Sequence, residues 1–214
     1  MTYKISAEEL RLNTNLAISE NKILHIKNFF NDDFSWSTFI DALNYQYNND
    51  KMHKVTESQV YNFSTNSTTP IIKNSDYFHF HVLQLATTRI KNFPMQNSLP
   101  EIKKIMEYCL EFLKENCYGD LKAVINFVGG SKTEYLGNAH SDKHDVLVFQ
   151  GQGSVNYNIY DVTDNIPEQR IETDGLTKTV YLLEKNDLFF MPKGTVHQVD
   201  VFEPRGSLIL DIKC

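Results

Sequence analysis

The sequence predicts a mainly β protein with N-terminal helices, built around a double-stranded β-helix, or jelly roll. Three observations carry that prediction. From Leu121 onward, short apolar runs alternate with turn signals at the intervals of a sandwich or small barrel. The helix signals all lie before that point. The chain has 214 residues, 41% of them hydrophobic, which suits one compact domain. We expect residues 1–214 to form that domain, with a helical and irregular part, 1–119, packed on a barrel of residues 120–214.

Taken in order, Ser6 with Glu9 has the form of a capping box opening a short helix. Ile23 to Ile26 reads as a strand from its β-branched content, with His25 a packed or surface residue. Asp33 or Ser35 is placed to cap a helix from Trp36 to Tyr47, with Trp36, Phe39, Ile40 and Leu43 at helical spacing. Residues 53–63 read as an irregular strand, and Ser64 to Ser75, rich in Ser, Thr and Asn, as a loop. Tyr77 to Leu85 carries His79 and His81, an H-x-H pair that would share a face on a strand. Ser98 with Glu101 opens a helix whose stripe is Ile102, Ile105, Met106, Cys109, Leu110 and Leu113, and Gly119 is expected at its C′ position.

The strands expected next are Lys122–Val128, Val146–Gln150, Val155–Tyr160, Lys178–Leu183, Asp187–Met191, His197–Phe202 and Ser207–Ile212. A polar, acidic insertion, Asp161 to Thr177, interrupts the series. It is either a solvated hairpin tip or a rim over the mouth of a pocket.

The net charge of −6 and the absence of a Lys/Arg stripe give nucleic acid no support as a partner. The start lacks the apolar core of a signal peptide and no run is long enough to span a bilayer, so a cytoplasmic location is expected. Three cysteines without a C-x-x-C pair suit a reducing compartment, with Cys109 in a structural role.

The chemistry is carried by two stretches. In GNAHSDKHDVLVFQ, His140 and Asp142 stand two apart where an irregular segment enters an apolar strand, a spacing that puts both on one face. In NDLFFMPKGTVH, Pro192 and Gly194 make a turn and His197 opens the next strand. Two histidines and a carboxylate on one face of a metal suit non-haem Fe(II). The alternatives are backbone-bonded loop residues, the His79/His81 pair, or His144 as a substitute ligand.

The spacing N-x5-P-x-G-x-x-H resembles the second motif of the cupin superfamily, with Asn186 where that motif usually has Gly. H-x-D followed by DVLVFQ, Gly153 and the strand ending NYNIY resembles the Jumonji-type (JmjC-like) branch of the Fe(II)- and 2-oxoglutarate-dependent oxygenases. The resemblance covers about the last hundred residues. It implies iron ligation by His140, Asp142 and His197, 2-oxoglutarate as co-substrate, and hydroxylation of a C–H bond in a peptide, protein side chain or small metabolite. Relatives often carry Lys or Arg where this chain has Val155. Arg205 with Ser207, similar to the R-x-S element of other 2-oxoglutarate oxygenases, is the expected anchor for the co-substrate's distal carboxylate. The alternative function is a metal-binding cupin acting on a small molecule without 2-oxoglutarate. Expected partners are a small-molecule or peptide/protein substrate, with a homodimer allowed and no membrane.

Overall fold

The structure, a computed structural model, describes residues 3–31, 35–39, 58–62, 67–70, 87–90, 100–113, 117–126, 134–135, 139–162 and 171–214. The chain opens with α1 (Ala7–Ser19), where the Ser6 hydroxyl accepts from the Glu9 N–H at 3.1 Å. That capping bond is the one the sequence signalled. Strand β1 (Leu24–Ile26) follows, and residues 36–39 are helical. Next come β2 (Ser58–Asn62), β3 (Ser67–Pro70), β4 (Thr87–Ile90) and helix α2 (Pro100–Leu113). The remaining strands are β5 (Tyr118–Asn126), β6 (Glu134–Tyr135), β7 (His140–Ser141), β8 (Asp145–Gln152), β9 (Val155–Tyr160), β10 (Lys178–Leu183), β11 (Leu188–Met191), β12 (Val196–Val201) and β13 (Arg205–Lys213).

All described strand pairs are antiparallel, and they form two sheets. The larger runs β1-β11-β8-β13-β5-β4-β2-β3; the smaller runs β10-β9-β12-β6, with β7 also pairing β12. Strand alternation sorts the side chains into layers. Val146, Val148, Val155, Tyr157, Phe189 and Val201 fill the space between the sheets. On the outer face of the larger sheet, Leu147, Phe149, Phe190, Leu208 and Leu210 meet Leu10, Phe29, Phe39, Ile105 and Tyr108 from the N-terminal part. The barrel is therefore stiffened from outside and filled from within. Each large apolar side chain so buried is worth about 1.5–3 kcal/mol.

Several expectations need correction. Ser67–Pro70, read as loop, pairs with β2 as an antiparallel strand, because backbone pairing does not need apolar side chains. Gly119 is not a helix cap: it lies in β5 opposite Ile212. There a Cβ would come within 2.6 Å of the Leu210 side chain, so the glycine serves close packing instead. Leu110 stands 61% exposed, outside the buried stripe of Ile105, Cys109 and Phe112. Cys117 and Cys214 form a disulfide across a separation of 97 residues, which removes the argument for a reducing compartment from unpaired cysteines. Cys109 is buried with a free thiol, which burial pushes well above its usual range, as a structural role requires. His79, His81 and most of the helix expected from Trp36 lie outside the described residues. Among the described residues, no helix is long and apolar enough to cross a membrane.

Candidate metal centre

Backbone pairing brings the two motif stretches together. His197, at the start of β12, is the direct cross-strand partner of His140 on β7, and Val196 is the partner of Ser141. Turn residues then fix the loop that carries Asp142. The Gly194 N–H donates to the Asp142 carbonyl at 2.9 Å, and the Lys193 N–H donates to the Asp145 carboxylate at 2.7 Å. Gly194 has φ +80° and Asn186 φ +74°, left-handed conformations that glycine and asparagine tolerate best. Asn186 can thus take the place of the glycine usual in the motif.

The result is a cluster in which one donor atom each from His140, Asp142 and His197 lies within 4.8 Å of the others. The two imidazole centroids are 4.5 Å apart, and His197 Nε2 is 3.7 Å from Asp142 Oδ2. Adjacent ligands of an ion held at about 2.1 Å lie roughly 3 Å apart, so the three donors would have to draw somewhat closer to share one ion. His197 is 4% exposed, whereas the Asp142 side chain is 42% exposed. The carboxylate thus marks the solvent side and His197 the inner side.

Orientation of His197 is set by its neighbour two residues back. Nδ1–H donates to the Thr195 carbonyl at 3.0 Å, and because a carbonyl only accepts, the Nε2 lone pair is left for a metal. Burial pushes the His197 pKa below its ordinary value, with His140 adding to that and Asp142 and the Thr195 carbonyl opposing it. A neutral imidazole is the form a metal needs.

His144, weighed as a substitute ligand, is not part of the cluster. Arg205 and Ser207 are 2% and 0% exposed, so the segment is the buried opening of β13 and not a surface turn. A Cβ on Gly206 would meet the Phe39 ring on the outer face, while Ile209 packs between the sheets. Alternation therefore turns Arg205 and Ser207 inward. Ser207 is already engaged: its hydroxyl donates to Gln150 Oε1 at 2.7 Å, and Gln150 Nε2 donates to the Gln152 and Gly153 carbonyls at 2.7 and 3.0 Å. The sequence reading missed Gln150, although its inward register in VLVFQ was visible. Val155, at the position where relatives often carry a base, is fully buried among apolar side chains.

The second half of the 161–177 insertion sits beside the centre. Ile171 bridges Ala139, the residue before His140, with its N–H donating to the Ala139 carbonyl at 2.9 Å. Ile171 and Leu176 pack against Ala139, Tyr160 and Val196.

A jelly roll with two histidines and an aspartate converging from β7, β12 and the loop between β7 and β8 defines a cupin-type barrel with a candidate metal centre. The chain belongs to the JmjC domain family, whose profile matches residues 94–208. No curated protein matches the sequence significantly. Among solved structures, that of Escherichia coli YcfD is similar at a TM-score of 0.65 and 14% identity, covering 100% of this chain and 54% of that one. The structure described as the ribosomal oxygenase YcfD from Escherichia coli in complex with cobalt and 2-oxoglutarate is similar at 0.60 and 16%, covering 90% and 48%. This chain spans about half the length of those proteins, and at such identities the likeness is one of fold.

Proposed function

We propose that this chain, as a single domain, is an Fe(II)- and 2-oxoglutarate-dependent oxygenase that hydroxylates a C–H bond of a peptide, protein side chain or small metabolite. The observation that carries the reading is the His140, Asp142 and His197 cluster in a JmjC-family barrel. Two imidazoles and a carboxylate form the donor set suited to non-haem Fe(II), with coordination positions left over. When bound, the metal and 2-oxoglutarate together supply the oxidising power for C–H hydroxylation. The chain's own contribution is positional and electrostatic. Thr195 holds the His197 ring, the Gly194 N–H holds the Asp142 carbonyl, and the apolar interior excludes water. Buried Arg205 supports a role as cationic anchor for the distal carboxylate. A protein side chain is the favoured substrate class, because the structural neighbours are described as ribosomal oxygenases.

Val155 favours a second reading, a metal-binding cupin without 2-oxoglutarate, since no cation stands at that point of β9. Succinate formation from 2-oxoglutarate separates the two. With Fe(II), ascorbate and peptide pools, the oxygenase reading expects succinate in the parent and none in His140→Ala. A parent that holds iron but forms no succinate and shows no 2-oxoglutarate binding by calorimetry supports the second reading. Arg205→Ala is expected to weaken 2-oxoglutarate binding about a hundredfold while leaving metal binding intact.

A further inference from the structure

We propose that the outer edge of β10 is a self-association surface, on which a second copy of this chain pairs its own β10 antiparallel about a two-fold axis through Tyr181. β10 is the terminal strand of the smaller sheet, and among the described residues only β9 pairs with it. An edge strand leaves a row of backbone N–H and C=O groups open to another strand, and proteins usually blunt such an edge with proline, a bulge or an inward charge. β10 has none of these. Its register with β9 runs unbroken from Lys178 to Leu183, and the run KTVYLL holds no proline.

Side chains single out the same edge. Alternation turns Tyr181 and Leu183 into the interior and leaves Val180 and Leu182 on the outer face, 49% and 41% exposed. On that face the neighbouring strands carry Asn156 and Asn158 of β9 and Gln198 and Asp200 of β12. Among the described residues of this face, exposed aliphatic side chains are thus confined to the strand that has an unpaired side.

The edge is its own complement. When KTVYLLE, residues 178–184, pairs antiparallel with a copy of itself and Tyr181 lies opposite Tyr181, Val180 falls opposite Leu182 and Lys178 opposite Glu184. The two-fold repeats each match, so the exposed aliphatic side chains of both copies meet in one stripe and an opposite-charge pair closes each end. Lys178 makes no ion pair with a described residue, and the ion pair of Glu184 is a surface one, with the exposed Lys27 at 3.2 Å. A slip of one residue would set outward Val180 against inward Tyr181, and a slip of two would set Lys178 against Leu182 or Glu184 against Val180, so pleat and charge select one register. A strand of this length spans about 23 Å. So small a contact belongs to the weak, reversible interfaces, and a micromolar Kd is expected.

Sedimentation velocity across the micromolar range reads the monomer–dimer equilibrium, and circular dichroism identifies variants that remain folded. The parent should dimerise as concentration rises. Val180→Lys, which charges the stripe, and Lys178→Glu, which sets like charges at both ends, should each weaken the dimer about tenfold. The double variant Lys178→Glu with Glu184→Lys should regain parental association, because the charges are swapped and not lost. A parent that is monomeric at every concentration overturns the inference and leaves the edge to an extended segment of another protein. A dimer indifferent to all these substitutions overturns it as well, as does a folded double variant that recovers nothing of what Lys178→Glu loses.

Discussion

His140 and His197 face each other as direct partners on adjacent strands, their ring centroids 4.5 Å apart. Pairing of this kind fixes the donors before any ion arrives, so loss of one donor should not disturb the other two. His140→Ala, Asp142→Ala and His197→Ala are each expected to lower Fe(II) affinity at least a hundredfold by anaerobic titration, on the order of 3 kcal/mol. His144→Ala, outside the cluster, should bind as the parent does. Equal affinity in all four variants would move the centre elsewhere.

Burial of His197 has a consequence for stability without metal. Its folded pKa lies below the ordinary value, with desolvation the largest cause. Below about pH 6.5 the unfolded chain takes up a proton that the folded chain resists, so this group's contribution is present above that pH and is lost as pH falls. The apo-protein's Tm should therefore drop on acidification from pH 7 to 5. In His197→Gln that drop should be shallower. Parallel Tm curves for the two proteins would contradict it.

How much was legible in the sequence follows from what each feature depends on. The clustering of His140, Asp142 and His197 was readable because strand spacing and a turn motif place these residues locally. Strands β9 and β10 were readable to the residue, because each is an apolar, aromatic or β-branched run bounded by turn signals. Contacts between distant segments were not readable. His25 Nε2 meets Asp187 Oδ2 at 2.9 Å across 162 residues, and no local pattern signals such a pair. Arg205 was open between a surface turn and an inward strand, since Pro204 and Gly206 are turn residues and only tertiary packing of Phe39 against Gly206 decides. The disulfide was hidden for the same reason, its two cysteines having no spacing to betray them.

Asp187 is the point where the N-terminal part is fastened to the barrel. Its buried carboxylate accepts from the Asn28 N–H at 2.9 Å, the Glu184 N–H at 3.0 Å and the His25 ring. Truncation strands two backbone donors as well as an imidazole. Asp187→Ala is expected to cost about 3 kcal/mol in urea unfolding, and His25→Ala only about 1 kcal/mol, because the other two bonds survive. A smaller cost for the aspartate than for the histidine would be inconsistent with this arrangement.

The Cys117–Cys214 bridge closes a loop of about a hundred residues and ties the C-terminus to the start of β5. Cross-linking a loop of that length lowers the entropy of the unfolded chain, typically stabilising by about 2–4 kcal/mol. Cys214→Ser should show that loss in denaturant under oxidising conditions and almost none when both proteins are reduced. A loss that persists in reductant would assign the effect to packing at the C-terminus.

Gly153 lies in the turn between β8 and β9 and sits against the Pro204–Arg205 backbone that opens β13. It has φ +65°, and a Cβ there would lie 2.0 Å from the Pro204 carbonyl oxygen and 3.2 Å from the Arg205 Cα. Both obstacles are backbone, so no side-chain rotation relieves them. The left-handed conformation alone costs an alanine about 1–2 kcal/mol, and the displaced Pro204–Arg205 segment adds to it. Gly153→Ala should therefore lose about 2–4 kcal/mol of stability in denaturant. Because the shift falls on Arg205 and not on the β7/β12 pair, Co(II) binding should persist while 2-oxoglutarate binding weakens. Retention of both at parental strength would mean that the turn yields without moving Arg205, and that the guanidinium does not hold the carboxylate.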